Sequence, residues 1–429
     1  MHLAMVCPDL TGHLNPMTTL GRELKRRGHR VTLIGLPPAG AFAERAGLEY
    51  RPLGVKNYEE EIAPGRRRLA ELTGIAALKL TGKLLRDIEA IGLRDLPRIY
   101  REEGIEAAIV DQVSPSGACV AEVQQLPFAI ACNALQLHQE ASVPPAVLGW
   151  KYSVSPLAKL RNMVGNRLLE WAASPIMKVV QAYRRENGLL PLKHGITAHY
   201  GLVQVAQQPA FFDFPRKRLP RHFHYTGPWH EQQRDKLVDF PWHWLNGKPL
   251  IYASMGTLQN SLQPIFRAIL RGVKGLDVQL VLSLGRADST WNEEVPANAL
   301  VVPYAPQLAL LEKSSMLITH AGLNTALEGL ARGLPMLCIP ITNDQPGVAA
   351  RIEWLKAGMT SLPGKVSAER IRVAVTRLMT EPGWRSNALD YQQKLRTSLP
   401  GVQMAADLIE HAMTTRKLLH SAHDLYLAA

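Results

Sequence analysis

The sequence predicts an α/β protein of two doubly wound, Rossmann-like domains, and three observations predict it. The chain opens on a strand–helix–strand unit: an apolar run, His2–Cys7, a helical pattern, Met17–Arg27, closed by Gly28-His29, and a second apolar run, Arg30–Gly35. A similar unit recurs far downstream. There Met316–Thr319 has strand character, Ala321-Gly322 forms a small-residue turn, and a helical pattern from Asn324 closes at Gly333-Leu334-Pro335 before the apolar run Met336–Ile341. Finally, 429 residues suggest two or more domains, and a polar, tryptophan-rich connector, residues 229–248, divides domain 1–228 from domain 249–400.

The remaining elements follow in order. Ala107–Val110 reads as a strand ending at Asp111, with a helical pattern after Ser114-Pro115 that runs through Glu122. Two long stretches, Tyr58–Arg101 and Trp150–Arg185, alternate basic and apolar residues at helical spacing. The first includes Leu69, Leu72, Ile75, Leu78, Leu80, Leu84 and Leu85. Most such patterns are helices packed on a sheet; here they also suit a long apolar groove with a basic rim that can touch a membrane surface. The run Arg216-Lys217-Arg218, with Arg221, reads as a solvated turn. The second domain begins with strand Pro249–Ala253 and the turn Ser254-Met255-Gly256-Thr257. Helix Ser261–Val273, strands Val278–Leu284 and Leu300–Val302, and helices Ser367–Met379, Trp384–Leu399 and Val402–Ala429 complete it.

Composition narrows the function classes. The formal charge of +12 favours anionic partners, but no nucleic-acid motif or interleaved aromatic pattern accompanies it, so a nucleic-acid binder is disfavoured. Four scattered cysteines show neither metal-ligand spacing nor a disulfide pattern, which reads as a reduced cytoplasmic protein. No signal-peptide pattern and no membrane-spanning apolar run is evident. The first turn lacks the spacing of a dinucleotide fingerprint, which disfavours a nicotinamide enzyme.

The chemistry concentrates between Val301 and Ile352. Free N–H groups at a helix start, with the helix dipole, favour a diphosphate at the Ala321-Gly322 turn. Gly322 lets backbone approach a ligand, and His320 and Asn324 add side-chain donors. Glu328, one turn beyond Asn324, is spaced to accept from a ribose diol, and Asp344-Gln345 at a strand's carboxyl edge suits sugar hydroxyls.

These residues carry a resemblance. Ala305-Pro306-Gln307, Thr319-His320-Ala321-Gly322-Leu323-Asn324-Thr325, Glu328, Gly333-Leu334-Pro335, Pro340 and Asp344-Gln345 are similar to the nucleotide-recognition signature of family 1 glycosyltransferases, the UDP-glycosyltransferases of the two-domain GT-B fold. The resemblance implies two Rossmann-like domains facing across a cleft, with helix 401–429 crossing back onto the first. It gives Gln307 to ribose and base, His320 and Asn324 to the diphosphate, Glu328 to the ribose and Asp344-Gln345 to the sugar. Ser254, Gly256 and Thr257 resemble the family's phosphate-side loop. Tyr304 stands where plant members usually carry a base-stacking tryptophan, and Leu323 where they carry another.

The turn Gly12-His13-Leu14-Asn15-Pro16 resembles the one holding the family's catalytic base, and Asp111 matches its carboxylate partner. A histidine that titrates near neutral pH can deprotonate an acceptor hydroxyl, and a carboxylate can orient it. Helix capping alone would also account for both residues.

Asp213-Phe214-Pro215-Arg216, Phe223-His224-Tyr225 and Ala253–Gln259 narrow the resemblance to bacterial zeaxanthin glucosyltransferases. The expectation is an inverting O-glycosyltransferase that uses a UDP-sugar, first guess UDP-glucose, and no metal; no Asp-x-Asp motif is present. Its acceptor is a hydroxylated apolar molecule, a carotenoid diol first, with phenolic, sterol and macrolide-like hydroxyls as alternatives. The chain reads as a monomer. A nucleotide-sugar epimerase and a non-catalytic nucleotide-sugar-binding module are the rival classes.

Overall fold

The computed structural model describes residues 1–69, 74–192, 201–230, 238–256 and 262–419. Two all-parallel sheets form its frame, in keeping with the α/β, doubly wound expectation. The first contains β1 (His2–Val6), β2 (Arg30–Gly35), β3 (Glu49–Pro52), β4 (Ala107–Asp111), β5 (Phe128–Cys132), β6 (Val203–Ala206) and β7 (Phe223–Tyr225), in the order β3-β2-β1-β4-β5-β6-β7. The second contains β8 (Leu250–Ser254), β9 (Gln279–Ser283), β10 (Ala299–Val302), β11 (Ser314–Thr319), β12 (Met336–Cys338) and β13 (Gly358–Thr360), in the order β10-β9-β8-β11-β12-β13.

The central strands β1, β4, β8 and β9 are buried along their whole length, because helices cover both faces of each sheet. Each sheet reverses its strand order once, between β1 and β4 in the first and between β8 and β11 in the second. Crevices at the carboxyl ends of such strand pairs are where doubly wound sheets bind ligands. His13, Asp111, Ser254 and His320 stand at or just beyond the carboxyl ends of β1, β4, β8 and β11.

Several sequence expectations are corrected. The first helix spans Thr11–Arg26, so Gly12–Pro16 forms its opening turns instead of a separate turn. A proline lowers helix propensity, which hid the early start, but it is tolerated near a helix beginning. Strand β12 is only three residues long, ending before the Ile339-Pro340 corner. The terminal helix is Gly401–Thr415 and stops where Arg416 turns left-handed (φ 54°); positions 420–429 of the expected helix lie outside the described residues. Arg216 is not solvated: its side chain is 3% exposed and pairs with Asp213 at 2.7 Å. Leu69, Leu72, Ile75 and Leu78 lie among positions whose side chains are outside the description.

Helix Gly401–Thr415 packs against the first sheet's core, placing Ala405, Leu408, Ile409 and Ala412 beside Leu20 and Leu24 of the first helix. Arg27 Nη1 reaches Glu410 Oε2 at 2.6 Å, and His29 Nε2 reaches Glu410 Oε1 at 2.7 Å. All four cysteines are buried free thiols. Among the described residues, no helix is long and apolar enough to cross a membrane.

Glu89, on helix Gly74–Glu102, is buried under the start of helix Pro115–Val123 and accepts from the Ser116 N–H at 2.8 Å. Burial pushes its carboxyl up to about 7, against the Ser116 hydrogen bonds that pull it down, while the nearby Asp111 charge adds to the rise. The folded state therefore keeps a proton that the unfolded chain releases near 4.5, and the resulting cost grows as pH rises through that window. Glu89→Gln, uncharged at every pH, is expected to raise the melting temperature at about pH 8.5 by a few degrees and far less at about pH 5. A melting scan showing no pH-dependent gain would contradict this.

Candidate active site

The first half of the site is built where β1 and β4 diverge. Leu10, extended, ends the β1 loop, and His13 stands in the first turn of helix Thr11–Arg26. Its Nδ1 lies 2.7 Å from Oδ2 of Asp111, the last residue of β4. Asp111 is fully buried and is held at both oxygens: Asn133 Nδ2 donates to Oδ2 at 2.7 Å and the Val113 N–H donates to Oδ1 at 2.9 Å. An acceptor so fixed assigns the proton to Nδ1 and leaves Nε2 as the basic nitrogen. Nε2 has no hydrogen bond among the described residues, and the side chain keeps 14% exposure. Burial pulls the ring's pKa down, but the Asp111 charge and hydrogen bond, helped by Asp344, raise it above its ordinary 6.5.

The second half lies at the ends of β8 and β11. His320 follows β11 and is wedged between two glycines. A Cβ at Gly322 would sit 2.6 Å from its Nε2, and one at Gly256, which has φ 77°, would sit 2.9 Å away. Only glycine fits either position. Burial pushes the His320 ring down to about 4, against a hydrogen bond with the Ser254 main chain, and its Nδ1 is buried without a partner among the described residues. Ala321, between His320 and Gly322, is buried and left-handed at φ 63°, a strained conformation of the kind that gathers at functional turns. Helix Leu323–Leu330 then begins with no side-chain cap on its first N–H groups.

Gln307 and Glu328 are brought together, with Nε2 donating to Oε2 at 2.6 Å; Gln307 also donates to the Thr325 hydroxyl at 3.3 Å and accepts from Tyr252 OH at 3.4 Å. Tyr304 is 40% exposed beside buried Ala305. Gln345 Oε1 accepts from the Ile341 and Thr342 N–H groups, tightening the loop after β12. Ser254 is buried at the end of β8 and its hydroxyl accepts from the Gly256 N–H at 3.4 Å, whereas Thr257 lies outside the described residues.

The two halves meet directly. Asn324 does not face only its own turn: its Nδ2 donates to the Gly12 carbonyl at 3.0 Å, and its Oδ1 accepts from Gln207 Nε2 at 2.8 Å. The Gly12 carbonyl is free to accept because the residue four positions on is Pro16, which has no N–H to close that turn of the helix. Asp344 Oδ2 accepts from the Leu135 N–H at 3.1 Å. Burial raises the Asp344 carboxyl, and its proximity to His13 partly offsets that rise. Farther along helix Gln345–Trp354, Arg351 Nη2 meets Asp213 Oδ1 at 2.6 Å, with both side chains 1% exposed. Gly347 packs so closely on the Ala146 carbonyl that any Cβ there would overlap it.

A small hollow adjoins Asp111, and a larger cavity lies beyond it. A water-sized hollow of about 20 Å³ is lined by Asp111, Gln112, Ser114, Leu137 and His138. Leu137 and His138 also line a much larger cavity of about 1170 Å³, walled by residues 139–147 and by Met163, Leu169, Ala173 and Met177 of helix Pro156–Glu186.

Sequence reading missed Asn133, Gln207, Leu135, Pro16 and the Asp213–Arg351 pair as parts of the site. Asn133 and Gln207 each directly follow the carboxyl end of a parallel strand, β5 and β6, which is the signal that could have found them.

Known proteins resemble the chain along nearly its whole length. Residues 88–400 match the family described as UDP-glucoronosyl and UDP-glucosyl transferase. A zeaxanthin glucosyltransferase of Pantoea ananas is 31% identical over 418 residues, spanning 96% of each chain. One from Pseudescherichia vulneris is 28% identical over 425 residues, spanning 96% of this chain and 98% of its own. Among solved structures, the glycotransferase of kitacinnamycin superposes with a TM-score of 0.75 at 24% identity, covering 96% of this chain and 99% of its own. The calicheamicin glycosyltransferase superposes with a TM-score of 0.71 at 18% identity, covering 97% and 98%. The sheets, the switch-point loops and this match over most of the chain lead to one conclusion: the protein is a glycosyltransferase of the GT-B fold and belongs to the UDP-glucoronosyl and UDP-glucosyl transferase family.

Proposed function

We propose that the protein is an inverting O-glycosyltransferase that moves glucose from UDP-glucose to a hydroxyl of a long apolar acceptor, a carotenoid diol first. The observation that carries the reading is the 2.7 Å His13–Asp111 contact, which leaves Nε2 as an unpaired base at the edge of the contact between the sheets. Supporting it are the large, partly apolar cavity that shares Leu137 and His138 with that pocket and the likeness to zeaxanthin glucosyltransferases.

In this mechanism His13 Nε2 takes the proton of the acceptor hydroxyl, and Asp111 holds the ring and stabilises the imidazolium that forms. The oxygen attacks the anomeric carbon from the face opposite the diphosphate, the bond from that carbon to the diphosphate oxygen breaks, and UDP leaves. Glu328 and Gln307 hold the ribose, Tyr304 stacks on the base, and Asp344-Gln345 binds the sugar. The uncapped start of helix Leu323–Leu330, with Ser254, Gly256, Thr257 and His320, receives the diphosphate. His320 is neutral in the unliganded protein, and a diphosphate beside it favours its charged form. These donors and the helix dipole serve where other transferases use a metal. Asn324, already bonded to Gly12 and Gln207, keeps the donor helix in register with His13.

Transfer from UDP-glucose to zeaxanthin and a panel of simple phenolics, measured for wild type and His13→Ala, tests the reading. Transfer is expected to fall about 10²–10⁴-fold in the variant while UDP binding persists; transfer retained would remove His13 from the mechanism. UDP binding with no transfer to any acceptor by wild type would favour a binding module.

The pH profile tests the pair. Only neutral His13 acts as a base, so kcat/KM should rise with pH along an acidic limb centred above 6.5. Asp111→Asn removes the largest influence raising His13 and leaves only Asp344 against burial, so the limb should move to lower pH while the plateau rate drops. An unmoved limb would contradict the pairing.

A further inference from the structure

Helix Pro156–Glu186 has two faces of different use. One side lines the large cavity, with Arg167 and Lys178 at its rim, whereas its first half turns a row of apolar side chains to the exterior. Leu157, Leu160, Val164, Leu168 and Trp171 recur at three- and four-residue intervals and are between 51% and 79% exposed. Five large apolar residues along one exposed stripe exceed the scattered apolar surface of an ordinary globular protein. At ~100° per residue, Arg161 and Arg167 stand about 60° to either side of the stripe's centre line, and Lys178 continues the same face beyond Trp171.

Charge decides what this face meets. From Trp150 to Lys178 the chain carries Lys151, Lys159, Arg161, Arg167 and Lys178 against one carboxylate, Glu170. Glu170 pairs with Arg167 at 3.2 Å, and Arg161 lies over the Trp150 ring at 4.8 Å. Lys151, Lys159 and Lys178 form no ion pair among the described residues. A second copy of this face would bring like charges together, and a neutral apolar partner would leave the cations unused. An anionic lipid surface satisfies both features, taking the apolar stripe at the acyl boundary and the cations among its headgroups.

We propose that the outward face of residues 154–171 is a docking surface for an anionic membrane. The large cavity, whose rim includes Arg167 and Lys178, then opens beside the docked face; on the reading above it holds the acceptor, and docking itself does not rest on that reading.

Flotation of the whole chain with phosphatidylcholine vesicles containing about one-third phosphatidylglycerol tests the proposal without reference to activity. Wild type should bind these vesicles roughly tenfold or more better than pure phosphatidylcholine ones, and more weakly as salt rises from about 0.1 to about 0.5 M. L160Q/L168Q/W171Q should lose roughly tenfold or more of the binding with its melting temperature unchanged. R167E/K178E, which alters two exposed side chains flanking the stripe, should lose a similar amount and carries the test alone if the first variant misfolds. The proposal is overturned if wild type does not bind the anionic vesicles or if both variants bind like wild type. It is equally overturned if light scattering shows a dimer that the apolar variant dissolves while its vesicle binding stays intact.

Discussion

The ion pair between Asp213 and Arg351 is buried on all sides, and the relation between the two sheets depends on it. Three further groups surround Asp213: Tyr225 OH and Gln136 Nε2 each donate to its Oδ2 at 2.8 Å, and Arg216 closes the cluster at 2.7 Å. Burial alone would raise the Asp213 carboxyl, but the guanidinium groups of Arg351 and Arg216 overcome it and hold the group well below the usual carboxylate range. Such pairs contribute little net stability against an apolar substitute; what they supply is a unique arrangement, since separating them strands a charge in the interior. Arg351 and Asp344 sit on one helix two turns apart, so fixing the first fixes the second beside Leu135 and near His13. The Asn324–Gly12 contact adds a second tie, at a carbonyl that Pro16 leaves open.

Within that frame the chain holds two histidines whose pKa values are pushed in opposite directions. Both rings are desolvated, which alone lowers each pKa; only His13 has carboxylates close enough to reverse the effect. His320 faces glycines and main chain and stays neutral. The difference comes from what ends the neighbouring strand, Asp111 after β4 and Ser254 after β8, and not from burial. On the proposed mechanism this separates a proton-accepting histidine from one that answers to the charge of a diphosphate.

Much of this was legible in the sequence because the switch-point strands are long apolar runs followed by small or polar residues. β1, β4, β8 and β11 could be read directly, and with them His13, Asp111, Ser254 and His320. The outer strands β3, β7 and β13 were not read. β3 is a half-exposed, charged segment, and β7 and β13 are three residues each, too short for periodicity to register. Missing β5 and β6 concealed Asn133 and Gln207 behind them. Arg216 was misjudged because a run of basic residues ordinarily lies in water; only tertiary partners, the Asp213 carboxylate and the His138 carbonyl, bury it. Asn324 showed its helix position but not its neighbour, since a carbonyl freed by a proline three hundred residues earlier leaves no local trace.

The account's central claim is a single displacement by a hydroxyl that His13 deprotonates, and the anomeric configuration of the product tests it most directly. Glucose is α-linked in the donor, so one displacement predicts a β-glucoside, read from the coupling of the anomeric proton in the product's NMR spectrum. An α-glucoside would contradict the claim, because retention requires either a second displacement or attack from the leaving-group face, and His13 serves neither.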